Sequence, residues 1–125
     1  MTRLAEAEIA HAHETSVRLE IHDVVKVLQE ILGTRLVGHL AGSKDPKAVS
    51  DWIEGSRAPR AAAESRLRTA LQAVQVLQAV ESEHVVQAWF IGQNPQLDDD
   101  APATALSADR LKDVLGAARA FAQTG

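Results

Sequence analysis

The sequence predicts an all-α fold, and three observations carry that prediction. Apolar residues recur at helical spacing rather than in alternation. Hydrophobic residues fill 46% of the 125 positions but aromatics only 3%, so the core must be built from Ala, Leu, Val and Ile. Ala and Leu favour helices, and few alternating β-branched runs compete with them. Gly, Pro, Ser, Thr and Asp fall where helices start and stop.

Residues 3–14 read as a polar helix with Leu4 and Ile9 as its strong apolar anchors, so 1–18 is expected to be a loosely docked helix or arm. Residues 20–32 carry Ile21, Val24, Val25, Leu28, Ile31 and Leu32 on one stripe, and Gly33 ends that helix. Thr34 is expected to cap a short helix over 35–41 bearing Leu36, Val37 and Leu40. Gly42-Ser43-Lys44 breaks it. Asp45 then reads as an N-cap and Pro46 as the first residue of a helix over 46–54, with Val49, Trp52 and Ile53 inward and Gly55 closing it. The longest helix is expected over 60–81, with Leu67, Ala70, Leu71, Val74, Leu77 and Val80 on one face. Ser82 caps a helix over 83–92. Residues 93–103 read as a loop containing Asp98-Asp99-Asp100, and Ser107 as the cap of a last helix over 108–122.

The absence of cysteine removes disulfides and thiolate metal sites and fits a reducing compartment. No apolar run approaches the ~20 residues of a membrane span, and the start of the chain lacks a signal-peptide apolar region. A soluble cytoplasmic protein is expected. No catalytic constellation is legible. The five histidines, His11, His13, His22, His39 and His84, contain no His-x-x-x-His pair. There is no phosphate-binding glycine loop. No enzyme, no cofactor and no metal site is therefore expected. The aspartate run reads as a solvated acidic loop; facing basic groups on a partner, or holding a cation, are its alternatives.

Net charge is −4, unusual for a dedicated nucleic-acid binder. From Arg35 to Arg68, however, seven bases face four acids, giving +3 and leaving −7 for the rest. A basic middle between acidic ends suggests two surfaces with different partners. The basic stretch contains two short helices joined by a glycine turn, the layout of a helix-turn-helix. Its second helix would offer Lys47, Ala48, Ser50, Asp51 and Glu54 outward, with Lys44 before it and Arg57 and Arg60 after it. Lys44, Lys47, Ala48, Ser50, Asp51, Arg57 and Arg60 are the candidate DNA-contacting residues. Asp51 and Glu54 would repel phosphate, and this helix lacks the Arg, Asn or Gln that reads bases bidentately. A helix-turn-helix serving only as a scaffold remains the alternative.

The run Asp45-Pro46-Lys47-Ala48-Val49-Ser50-Asp51-Trp52-Ile53-Glu54-Gly55, with Pro59 following, resembles the Pro-x-x-Val-x-x-Trp-x-x-Gly-x-x-x-Pro signature of the Xre/MbcA/ParS type II antitoxins. Ala88-Trp89, Asn94-Pro95-x-Leu97, Pro102 and Leu106 then resemble, in order and spacing, the family's toxin-binding domain. The resemblance spans about residues 20–122. It implies an Xre/Cro-like helix-turn-helix core over 19–81 and a small helical toxin-binding domain over 82–125. It implies a toxin partner with a RES domain that consumes NAD or, in some branches, transfers ADP-ribose. It also implies a homodimer, blockage of the toxin's active site by the C-terminal segment, and in some members promoter binding. Trp89, Asn94, Pro95, Leu97, Pro102 and Leu106 are the toxin-binding residues it implies. The chain has Leu97-Asp98-Asp99 where the pattern has Leu-Gly-Gly; aspartate also tolerates turns.

Three of the four aromatic residues, Trp89, Phe90 and Phe121, lie in this second half. Aromatic anchors carry much of interface energy, which adds Phe121 to the docking candidates; core packing is the competing role for Trp89. Removal of residues 107–125 is expected to abolish neutralisation and leave the helix-turn-helix folded. The competing function is a stand-alone helix-turn-helix transcriptional regulator that uses its second half only to dimerise.

Overall fold

A computed structural model describes residues 19–124, and among them the chain forms seven α-helices, one 3-10 turn and no strand. The all-α class is as expected. The helix expected over 3–14 and the arm 1–18 lie outside the described residues. No helix among the described residues is long and apolar enough to cross a membrane.

The first helix, α1 (Ile21–Leu32), buries Val24, Val25, Leu28 and Leu32. Gly33 follows at φ 88°, ψ 156°, a backbone region essentially closed to other residues. It permits the chain to turn directly into α2 (Thr34–Ala41). Thr34 is thus the first residue of α2 rather than its cap. Its hydroxyl accepts a hydrogen bond from Gln29 Nε2 at 3.2 Å across the corner. Gly42 ends α2 in the left-handed conformation.

The next helix is shorter than the sequence suggests. Pro46 and Lys47 form a turn and α3 covers Ala48–Glu54. Asp45 caps that turn, its Oδ1 accepting the Lys47 N–H at 2.9 Å. Val49 and Trp52 are buried as expected and Ile53 is half-buried. Ala48, expected outward, is buried as well.

The central helix α4 (Ala61–Gln78) packs against α1, α2 and the last helix, so its buried surface is wider than one stripe. Ala73 and Val76 join Leu67, Ala70, Leu71, Val74 and Leu77 in the interior. The helix stops at Gln78, and Val80 is half-buried in the following turn. Ser82 accepts from the Val85 N–H and starts α5 (Glu83–Ile91), which buries Val86 and Phe90.

Residues 93–103, expected to be a loop, hold a 3-10 turn at Pro95–Leu97 and the start of a helix, α6 (Pro102–Ser107). A proline opens each of them, and at the first helical position its fixed φ and missing N–H cost nothing. Ser107 sits at the end of α6, its hydroxyl donating to the Thr104 carbonyl at 2.7 Å, and does not cap the last helix. That helix is α7 (Leu111–Gln123), with Val114, Ala117, Ala118 and Ala122 buried. α6 lies on α2 and α7 lies along α4. One cluster of buried side chains draws on all seven helices and on Leu97.

Arg66 of α4 ties the two ends of the fold together. Nε and Nη2 donate to the two carboxylate oxygens of Asp109, at 2.8 and 2.9 Å, and Nη1 donates to the Ala41 carbonyl at 2.9 Å. A Cβ on Gly42 would lie 2.6 Å from Nη1, so glycine there serves both the turn and the arginine. The hydrogen bond from Arg66 holds the Asp109 carboxyl below its ordinary value of 3.8, against an opposing effect of burial. A depressed native value means the pair's contribution is present above pH 3.8 and is lost as pH falls through the lower native value. Arg66→Ala should cost about 1–2 kcal/mol in denaturant titrations at neutral pH, limited by the water around the aspartate. The stability difference between the wild type and Asp109→Asn should shrink on acidification below pH 3.8. A difference that holds constant there would show that the ion pair contributes nothing.

Candidate functional site

The α2–α3 pair and the segment after it form the first candidate surface. Lys44, Lys47, Ser50, Arg57 and Arg60 are exposed, and Asp51 is half-buried. Ala48 is inside and supports this surface without facing it. The basic groups are not equally available. Arg57 Nη2 lies 2.8 Å from Asp45 Oδ2 and 3.3 Å from Asp51 Oδ2. The Lys47 backbone N–H, and then Arg57, hold the Asp45 carboxyl below its ordinary range. Among the described residues Lys44, Lys47 and Arg60 have no carboxylate partner. A cavity of about 470 Å³ separates the end of α2, α3 and the start of α4, with Trp52 in its wall and Arg57, Arg60 and Arg66 around it. A second, of about 450 Å³, lies between α2 and the 43–46 turn and adds Arg35 and His39, which sequence reasoning missed. Both are on α2, read from sequence only as support for the helix that follows.

The second candidate surface is the chain from α5 onward. Trp89 is half-buried, its ring set edge-on against the fully buried Phe90 at a centroid distance of 5.1 Å and 84° between planes. Phe121 is half-buried on α7. Asn94 caps the 3-10 turn, its Oδ1 accepting the Gln96 N–H at 2.9 Å, and Pro95 is exposed. Leu97, Pro102 and Leu106 are buried. Contrary to their expected place on a docking surface, these three anchor the 93–107 segment to the core.

The aspartate run is partly paired from within. Arg110 Nη2 lies 3.3 Å from Asp98, Nη1 3.7 Å from Asp100, and Nε 3.1 Å from Asp113. Arg110 also donates to the Leu97 carbonyl at 3.2 Å. Asp98 and Asp99 both take positive φ, 56° and 67°. Non-glycine residues seldom do so, aspartate more readily than most. These are the two positions at which the pattern resembled by the sequence carries glycine. Among the described residues no cluster of three or more His, Asp or Glu could hold a metal ion.

No family model, no curated protein and no solved structure matches the chain.

Proposed function

We propose that the chain is an antitoxin: it binds a toxin protein through its second half and carries a helix-turn-helix in its first. The observation that supports this best is the backbone at Asp98 and Asp99. Two consecutive left-handed residues are a specific local demand, and they fall where the antitoxin pattern has Gly-Gly. The partly buried Trp89, oriented by Phe90, supplies an aromatic anchor beside that turn in sequence. The RES-domain character of the toxin and the blockage of its active site rest on the resemblance alone. The test is to express the product of the adjoining open reading frame with and without this chain. Growth arrest relieved by the wild type is expected, with loss of relief on Trp89→Ala. An adjoining product that is harmless alone would refute the reading.

DNA binding through the helix-turn-helix is the secondary role, and the Asp45–Arg57–Asp51 contacts work against it. Exchanging both acids for asparagine keeps the turn's hydrogen-bond acceptor and frees the guanidinium for phosphate. Asp45→Asn with Asp51→Asn should bind duplex DNA more tightly than the wild type. The slope of log affinity against log salt should steepen by about one for one added phosphate contact. An unchanged slope would remove Arg57 from the DNA surface.

A further inference from the structure

Helix α5 is apolar on both of its sides. Val86 and Phe90 are buried. Outward stand Val85, Ala88 and Ile91, spaced i, i+3 and i+6, with the half-buried Trp89 beside Val85 at i+4. Val85 and Ile91, with 37% and 65% of their surface exposed, are the exposed large hydrophobic side chains among the described residues, and both belong to this one helix. A helix at a surface ordinarily turns polar residues to the water, and one that is apolar all round is ordinarily covered. An exposed apolar patch of this kind marks a contact surface. The helix is held firmly: Ser82 caps its start, and Gln87 Nε2 donates to the Ile31 carbonyl at 2.7 Å.

The charges that accompany this face are acidic. Between Arg68 and Arg110 the chain carries six acids, Glu81, Glu83, Asp98, Asp99, Asp100 and Asp109, and no Lys or Arg. Arg66 holds Asp109, and Arg110 holds Asp98 and Asp100. Glu83 on the helix and Asp99 in the turn after it form no ion pair with any described residue. Beyond Ile91 the face runs into a groove that carries Glu30 and Arg35, one of each sign, so the balance stays acidic.

We infer that the outward face of α5 seats a protein surface with an apolar hollow and a rim of Lys and Arg side chains. An apolar centre with a charged rim is the anatomy of a protein interface, and complementary charge selects the partner and speeds the encounter. The same acids disfavour the other occupants. A second copy would bring Glu83 and Asp99 toward their own kind, and a nucleic acid or an anionic bilayer would be repelled. The inference gives chemical form to the toxin partner proposed above. It rests on that reading for the partner's identity but not for the character of the surface.

Two synthetic amphipathic helices, one of leucine and lysine and one of leucine and glutamate, test this on the full-length chain. Amide shifts should place the leucine–lysine helix on residues 83–92 and 98–100 and should not respond to the leucine–glutamate helix. Val85→Ser with Ile91→Ser should weaken the first about tenfold or more, because the apolar contact is lost. Glu83→Gln with Asp99→Asn should weaken it at low salt and not at high salt, where surface charges are screened. Asparagine tolerates the left-handed backbone at 99. All four side chains are exposed, and melting curves confirm that the variants fold. The product of the adjoining reading frame should show the same order of losses. Binding of the leucine–lysine helix without binding of that product supports the surface and refutes the toxin reading. A leucine–lysine helix that does not bind, or that shifts other residues, overturns the inference. So does a leucine–glutamate helix that binds as well, or an adjoining product indifferent to Val85→Ser with Ile91→Ser. Self-association of the wild type that this double variant abolishes would give the face to a second copy and overturn it too.

Discussion

A chain ended at Leu106 is expected to lose its cooperative fold, with near-ultraviolet signal and a sharp thermal transition both gone. The sequence invites the opposite expectation, in which 107–125 is a detachable plug. α7 forms the most extensive helix pair in the fold, with α4. Val114, Ala117, Ala118 and Ala122 are fully or almost fully buried there, and Leu111 and Phe121 pack against the same cluster. Each large apolar side chain so buried contributes roughly 1.5–3 kcal/mol, and the surface of α4 uncovered by the truncation loses a comparable amount. Asp109 leaves with the segment, so Arg66 keeps only the Ala41 carbonyl. The combined loss is on the order of the whole stability of a small domain, about 5–15 kcal/mol. A truncated chain that still melted sharply within a few degrees of the parent would show that α7 is an appendage. The practical consequence is that this deletion cannot test partner binding, because it removes the fold as well as the surface.

What the sequence disclosed were the features with a local cause. The stripe from Ile21 to Leu32, the left-handed glycines at 42 and 55 and the Ser82 cap follow from helical spacing and backbone preference, and they stand where expected. Features decided by a distant partner were not disclosed. Ala48 is small and neutral, and nothing in its neighbours in sequence says that it lies inside. The start of α3 differs from the expected one, and α6 stands where a loop was expected, because a proline can start either a turn or a helix, and only what packs beneath it decides. Arg66 and Asp109 stand 43 residues apart, and in sequence each reads as one more surface charge. Arg110 likewise turns Asp98-Asp99-Asp100 from a solvated acidic run into a partly paired loop. The same gap explains the docking candidates. The pattern marks Leu97, Pro102 and Leu106 as residues that matter, but spacing alone cannot distinguish a side chain that touches a partner from one that holds the touching segment in place.

Two neighbouring aromatics separate those roles experimentally. Phe90→Ala is expected to cost about 3–5 kcal/mol, because a fully buried ring is removed from a packed core and leaves a cavity. That is a large share of the total, and the urea midpoint should fall accordingly. Trp89→Ala should cost about 2 kcal/mol, less than the buried ring beside it, covering the edge-on contact with Phe90 and the part of the indole packed on the core. Its effect on partner affinity should be the larger of the two once folded protein is compared with folded protein, about 2 kcal/mol or some thirtyfold. Phe90 is out of reach of any partner, so a folded Phe90→Ala population should bind nearly as well as the wild type. The tests are calorimetric titration of each variant with the proposed toxin partner and a parallel denaturant titration. If Trp89→Ala bound the proposed partner as tightly as the wild type, the indole would be one more core residue, and the docking surface would have to be sought at Pro95 or Phe121.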